Sequence, residues 1–269
     1  MPHVTIGNKQ LEYAWHGPRA DEASTLVFLH EGLGCVEAWR GFPERVARAS
    51  GCGALVYSRA GYGRSDPIEM PRPVRFMHDE ALITLPQVLD AFTIKGAVLV
   101  GHSDGGSIAL IYAGGTKDPR VRGLILEAPH VFGEQHGLQS IMSIADDYRD
   151  KDQKLKERLK RYHGENVDET FWGWNNVWLD PAFRSWNIEE FLPQVHVPVL
   201  LIQGEEDQYG TLDQVRAIEN GCQGPVHTVI LPNCGHSPHL DHPELTLAAM
   251  TSYLSTVTQI TQKAEGSKQ

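Results

Sequence analysis

Apolar residues fall in short continuous runs bounded by turn residues: Leu26 to Leu29, Ala54 to Tyr57, Ala97 to Val100, Leu124 to Leu126, Val199 to Ile202 and Val226 to Leu231. Unbroken runs of this length mark strands covered on both faces, as in parallel sheets. Between them, apolar residues recur at helical spacing and predict helices over roughly 36–49, 75–93, 105–114, 211–220 and 243–258. Strands alternating with helices predict an α/β fold with a doubly wound, mostly parallel sheet. The opening stretch Gln10 to Trp15 alternates polar and apolar and reads as an antiparallel edge strand.

Residues 132–195 break this rhythm. A charged amphipathic segment, Asp146 to Tyr162, is followed by Phe171, Trp172, Trp174, Trp178, Phe183 and Trp186, four of the chain's six tryptophans. The expected organisation is a core of residues 1–131 and 196–269, with 132–195 inserted as a helical cap. Apolar rings concentrated in an insertion serve equally as its own small core or as a pocket wall. Trp172, Trp174 and Trp178 are the candidate wall residues. The run Arg149 to Lys154 reads as a solvated helix face.

The chemistry begins with Gly101-His102-Ser103-Asp104-Gly105. This G-x-S-x-G follows an apolar run and precedes a helical one, the strand–turn–helix setting of a nucleophile elbow. Its glycines leave room for a strained turn, and the helix start aims backbone N–H groups and a positive dipole end at the serine. A serine needs a base. Among 13 histidines, His236 in Gly235-His236-Ser237-Pro238-His239 lies after the last predicted strand and before the final helix. That is a strand-end loop on the edge expected to carry the elbow; His239 and His242 read instead as cap contacts or surface. The base needs an orienting carboxylate. In Gly204-Glu205-Glu206-Asp207, Asp207 is preferred because the third residue past the glycine can turn back to the strand-end face. Glu205 and Glu206 are expected in solvent, and Glu127, at another strand end, stays open as the acid. The order Ser103, Asp207, His236 is that of the α/β-hydrolases. Glycine-rich Leu29 to Gly34 supplies a second oxyanion donor, making the N–H groups of Gly32 and Asp104 the candidate oxyanion hole.

These stretches, with Trp39, Ser58-Arg59-Ala60-Gly61-Tyr62-Gly63-Arg64-Ser65 and Gly235 to Glu244, resemble the α/β-hydrolase superfamily from about residue 26 to residue 258. The resemblance implies that Ser103, Asp207 and His236 are the catalytic triad and that 132–195 is a lid. Two residues depart from the family pattern. Glu31 stands where glycine usually follows the histidine, which bears on the hydrogen bonding of the oxyanion loop. Asp104 places a carboxylate beside the developing oxyanion, repulsive unless it points away or is paired. Serine at the elbow excludes the epoxide-hydrolase and haloalkane-dehalogenase branches, which need aspartate there.

The 269 residues, 41% hydrophobic and 22% charged, suit one large domain with an insertion. A net charge of −10 argues against a nucleic-acid partner. The N-terminus lacks the basic and apolar regions of a secretory signal, and no apolar stretch is long enough to span a bilayer. Cys35, Cys52, Cys222 and Cys234 lack metal-ligand spacing and read as reduced thiols of a cytoplasmic protein. Lys263 to Gln269 read as a frayed polar tail. The expected partner is a small-molecule substrate, with no membrane, metal or cofactor and with self-association left open. The expected activity is hydrolysis of a small carboxylic ester, thioester or lactone through an acyl-enzyme. Hydrolysis of a C–C bond in an aromatic ring-fission product, and slow turnover by a ligand receptor on the same scaffold, are the alternatives.

Overall fold

A computed structural model describes residues 1–266, with side chains described up to residue 257. Among these, eight strands form one sheet: β1 (His3–Ile6), β2 (Lys9–His16), β3 (Thr25–Leu29), β4 (Gly53–Tyr57), β5 (Ala97–His102), β6 (Val121–Glu127), β7 (Val199–Gly204) and β8 (Val226–Leu231). Their spatial order is β1-β2-β4-β3-β5-β6-β7-β8. The pairs β1–β2 and β2–β4 are antiparallel, and every other pair is parallel. β2 is the alternating strand read from the sequence, but it is not the edge. His3–Ile6, too short to show a period, covers its free side.

The connecting helices are α1 (Phe42–Ser50), α2 (Phe76–Asp79), α3 (Leu85–Ala91), α4 (Asp104–Thr116), α5 (Gln135–Arg149), α6 (Lys154–His163), α7 (Val167–Leu179), α8 (Leu212–Gly221), α9 (Pro238–Asp241) and α10 (Pro243–Gly266). The helix expected over 36–49 is a short 3-10 turn, Glu37–Trp39, then α1, with Arg40 and Gly41 in left-handed conformation between them. The helix expected over 75–93 runs as α2, a π-helical segment (Glu80–Thr84) and α3. The polar tail expected over 263–269 lies partly outside the described residues.

The two-residue period of each strand splits the core into two layers. Leu26, Phe28, Val98 and Val100 pack with Val46 of α1 and Met250 of α10. Val27, Leu29 and Leu99 pack with Val88 of α3, Ile108 of α4 and Ile218 of α8. β3 lies between β4 and β5, so the chain reverses its direction of travel across the sheet there. A crevice at the carboxyl ends of the strands opens at such a switch point.

Between β6 and β7 the chain adds no strand to the sheet. It forms α5, α6 and α7, with short 3-10 turns at Pro181–Phe183 and Glu189–Gln194. Arg149–Lys154 is not one helix face: α5 ends at Arg149, and α6 begins after Gln153 in left-handed conformation (φ 49°). Ile141, Phe171 and Trp178 share one apolar cluster with Leu99 and Ile108. Helices and sheet are thus joined by common packing. Glu189–Gln194 lies against α4, where a Cβ on Gly114 would collide with the Phe191 carbonyl.

Candidate active site

Ser103 sits between β5 and α4 at φ 53° and ψ −118°, a conformation that L-residues adopt only when the surroundings impose it. Its N–H donates to the Glu127 carbonyl at 2.9 Å. The flanking glycines are obligatory on steric grounds. A Cβ on Gly101 would strike the Gly105 backbone, and one on Gly105 would strike the Leu29 carbonyl. The elbow is therefore wedged against the end of β3, which carries the glycine-rich turn.

His236 lies in the loop between β8 and α9. Its Nδ1 is 2.9 and 2.8 Å from the two carboxylate oxygens of Asp207. Asp207 also accepts from Gln203 Nε2 at 2.7 Å, from the Tyr209 N–H at 2.8 Å and from the Gly210 N–H at 3.3 Å. Burial works against its ionised form, but the His236 imidazole and the Tyr209 N–H prevail and pull the carboxyl down to about 2. Glu205 and Glu206 are exposed, as expected for the other acids of the run.

Glu127, the alternative acid, is engaged elsewhere. Its carboxylate accepts from the His239 N–H at 3.0 Å and meets His239 Nδ1 at 2.9 Å. His239 is buried, not a surface or cap contact, and packs with its ring tilted against Trp39 and Phe42. His242 sits near the surface with Nε2 3.1 Å from the Asn233 carbonyl.

Ser103, His236, Gly32 and Asp104 face one cavity of about 240 Å³. That volume is slightly below the usual range for ligand pockets, roughly 300–1,000 Å³. Trp174 and Trp178 line it. Trp172 does not: it packs edge-on to Tyr148 and Phe171, under the Arg149 guanidinium. The aromatic cluster thus divides, with Trp174 and Trp178 on the wall and Trp172 and Trp186 in packing. Gly32 has its own steric reason: a Cβ there would collide with the Trp174 indole.

The Asp104 carboxylate is fully buried and accepts from Trp178 Nε1 at 3.2 Å. Burial pushes this carboxyl up, opposed by the Arg59 charge. Arg59 appears in the sequence only as part of a matching stretch, yet it organises the site. Its guanidinium donates to the His30 carbonyl at 2.5 Å and the Glu31 carbonyl at 3.0 Å, fixing the turn that carries Gly32. His130, Gln203 and Tyr209 also went unread, because nothing local distinguishes them. His130 is buried with its ring tilted beside that of His236 (centroids 5.5 Å apart); burial, and then the neighbouring His236 imidazole, lowers it to about 4, so it is neutral at pH 7. Among the described residues, no group of three or more His, Cys, Asp or Glu side chains is placed to hold a metal ion, and no helix is long and apolar enough to cross a membrane. The four cysteines are free and buried.

A strand-end serine elbow on this sheet order defines an α/β-hydrolase architecture. The alpha/beta hydrolase family model matches residues 26–249, and the chain belongs to that family. It is 23% identical to a 2-hydroxy-6-oxononadienedioate/2-hydroxy-6-oxononatrienedioate hydrolase of Comamonas testosteroni, over 90% of this chain and 91% of that one. It is also 23% identical to a 2-hydroxy-6-oxo-6-phenylhexa-2,4-dienoate hydrolase of Burkholderia cepacia, with the same coverage. A solved structure from work on carboxylesterases of Nitrososphaera gargenis superposes with a TM-score of 0.79 at 16% identity, covering 96% of this chain and 99% of that one.

Proposed function

We propose that this protein is a serine hydrolase that cleaves a small carboxylic ester, thioester or lactone through an acyl-enzyme. The observation that carries this reading is Ser103, held at positive φ in a glycine-wedged elbow, sharing a cavity with a His236 already bonded to Asp207. His236 Nε2 takes the Ser103 hydroxyl proton as the oxygen attacks the substrate carbonyl. Asp207 fixes the proton on Nδ1, keeping Nε2 free as the acceptor, and stabilises the imidazolium that forms. The Gly32 and Asp104 N–H groups, one at the oxyanion turn and one at the start of α4, receive the tetrahedral oxyanion. The leaving group takes the proton from His236. Water then attacks the acyl-enzyme with His236 again as base and releases Ser103. The segment 132–195 acts as the lid, with Trp174 and Trp178 excluding water from the acyl group.

Cavity charge favours this reading over C–C hydrolysis. The substrates named for the two curated relatives are a dienedioate or trienedioate and a dienoate, all carboxylates. Here no lysine or arginine lines the cavity, whereas Glu31, Asp104 and Glu134 do. The His102 imidazole on the wall faces Glu31 at 3.5 Å, and Arg59 lies behind the wall with its guanidinium on backbone carbonyls. An anionic substrate would meet Asp104 and Glu134 and find no lysine or arginine on the wall to receive its carboxylate. The test is Ser103→Ala assayed on p-nitrophenyl acetate and butyrate. Folded variant with turnover reduced by several orders of magnitude is expected, and near-normal turnover would remove Ser103 as nucleophile. Wild-type turnover slower than about one per minute on every ester would favour the receptor reading, given usual enzyme rates.

A further inference from the structure

Glu31 places a carboxylate on the wall of the cavity that holds Ser103, with 26% of its side chain exposed. A bare negative charge there opposes the oxyanion of an acyl transfer. One of its oxygens lies 3.5 Å from Nδ1 of His102, the residue before the nucleophile. His102 is 1% exposed, and its other nitrogen, Nε2, lies 2.7 Å from the backbone carbonyl of His236. Both neighbours accept protons and neither donates. A neutral imidazole that donates from Nε2 turns the bare Nδ1 lone pair toward the Glu31 carboxylate, which lies at ion-pair rather than hydrogen-bond distance; an imidazolium turns an N–H toward each neighbour. The other titratable groups around the ring are Glu127, held by His239, and the rings of His236 and His239 themselves.

We propose that Glu31 and His102 form a fixed ion pair that cancels the Glu31 charge beside the oxyanion site and holds the loop carrying His236. His102 is then a positioning residue, tying together the oxyanion turn, the elbow and the base loop. Its electrostatics agree. Burial disfavours the charged ring, yet Glu31, Glu127 and the His236 carbonyl raise it to about 9. Glu31 is held below the ordinary carboxylate range by the same partner, against its own burial. The pair gives a reason for glutamate at a position where glycine is the family habit.

The inference rests on the serine-hydrolase reading for its kinetic part only. In ¹⁵N-histidine spectra of the whole protein, assigned with His102→Gln, His102 should carry protons on both nitrogens at pH 7.5 and lose one near pH 9. Glu31→Gln should move that loss to lower pH. A neutral His102 at pH 7.5, or a titration that ignores Glu31→Gln, overturns the proposal; neither reading depends on turnover. On p-nitrophenyl butyrate, His102→Gln keeps a donor for the His236 carbonyl but strands Glu31, so kcat should fall about 10–100-fold with KM within about threefold. His102→Gln with Glu31→Gln should recover about tenfold, and a double variant no faster than His102→Gln overturns the pairing. If His102→Gln does not fold, the wild-type and Glu31→Gln spectra, assigned through unchanged neighbours, decide. Full activity of Ser103→Ala would sink the hydrolase reading and leave the spectroscopic result standing.

Discussion

Asp207→Asn is the substitution whose consequence the geometry prescribes most closely. Both carboxylate oxygens are committed: His236 Nδ1 sits between them, Gln203 Nε2 donates to one, and the Tyr209 and Gly210 N–H groups donate to the other. An asparagine has one acceptor and one donor end. If its oxygen keeps the two backbone donors, its NH₂ faces Gln203 Nε2 and His236 Nδ1. Nδ1 must then become an acceptor, the ring proton moves to Nε2, and the base can no longer accept from Ser103. The wrong tautomer in a triad costs about 10⁴-fold in kcat, or about 5.5 kcal/mol. The site also loses its preference for the ionised group. The pull on Asp207 from 3.8 to about 2 corresponds to about 2 kcal/mol in favour of the carboxylate. Because the folded value is depressed, that stabilisation is fully present above pH 3.8 and disappears as pH falls through about 2. The assay is kcat and KM on p-nitrophenyl butyrate, with a thermal melt to show folding. Activity within tenfold of wild type in folded Asp207→Asn, or a larger loss in folded Glu127→Gln, would refute the assignment of the acid.

Gly32→Ala would push the Trp174 indole out of place and disturb the oxyanion turn, so kcat should fall about 10–100-fold. Adding Trp174→Ala should recover part of it, and a double variant no better than Gly32→Ala would separate the turn from the ring. Gly105→Ala should lower the melting temperature by about 6–12 °C, the equivalent of about 3 kcal/mol for a chain of this size, since its Cβ would strike the Leu29 carbonyl; an unchanged melt would mean that the elbow is not wedged. Matched esters with neutral and carboxylate-bearing acyl groups should differ in kcat/KM by at least tenfold in favour of the neutral one, because the cavity wall offers Glu134 and Asp104 but no lysine or arginine. Equal rates, or preference for the anion, would return C–C hydrolysis of ring-fission products to the front.

Features legible in the sequence were those whose cause is local. Gly101 and Gly105 signal an elbow because the turn tolerates no Cβ there, and that constraint spans five residues. The buried strands announced themselves as apolar runs for the same reason. The turn back toward the strand end singles out Asp207 over Glu205 and Glu206, and Asp207 is the buried one of the three. The pair Glu127–His239 was not legible, since 112 residues separate partners that only the finished sheet brings together. Trp172 misled because spacing along a helix does not say which neighbour waits on each face: it meets Tyr148 of α5, while Trp174 and Trp178 meet the cavity. Gln10–Trp15 reads as an edge strand from its alternation alone, because the four-residue β1 that pairs with it is too short to carry a pattern.

A Ser103 nucleophile must be acylated during turnover. Rapid-quench mass spectrometry of the whole protein during turnover of p-nitrophenyl butyrate tests it without relying on any substitution. A single butyryl adduct is expected, mapped to the peptide containing Ser103, forming no more slowly than p-nitrophenol appears and decaying as turnover ends; a fluorophosphonate added beforehand should occupy the same residue and abolish both. Sustained hydrolysis with no adduct under acyl-accumulating conditions, after fluorophosphonate has fully labelled Ser103, or an adduct mapped to any other residue, would contradict it.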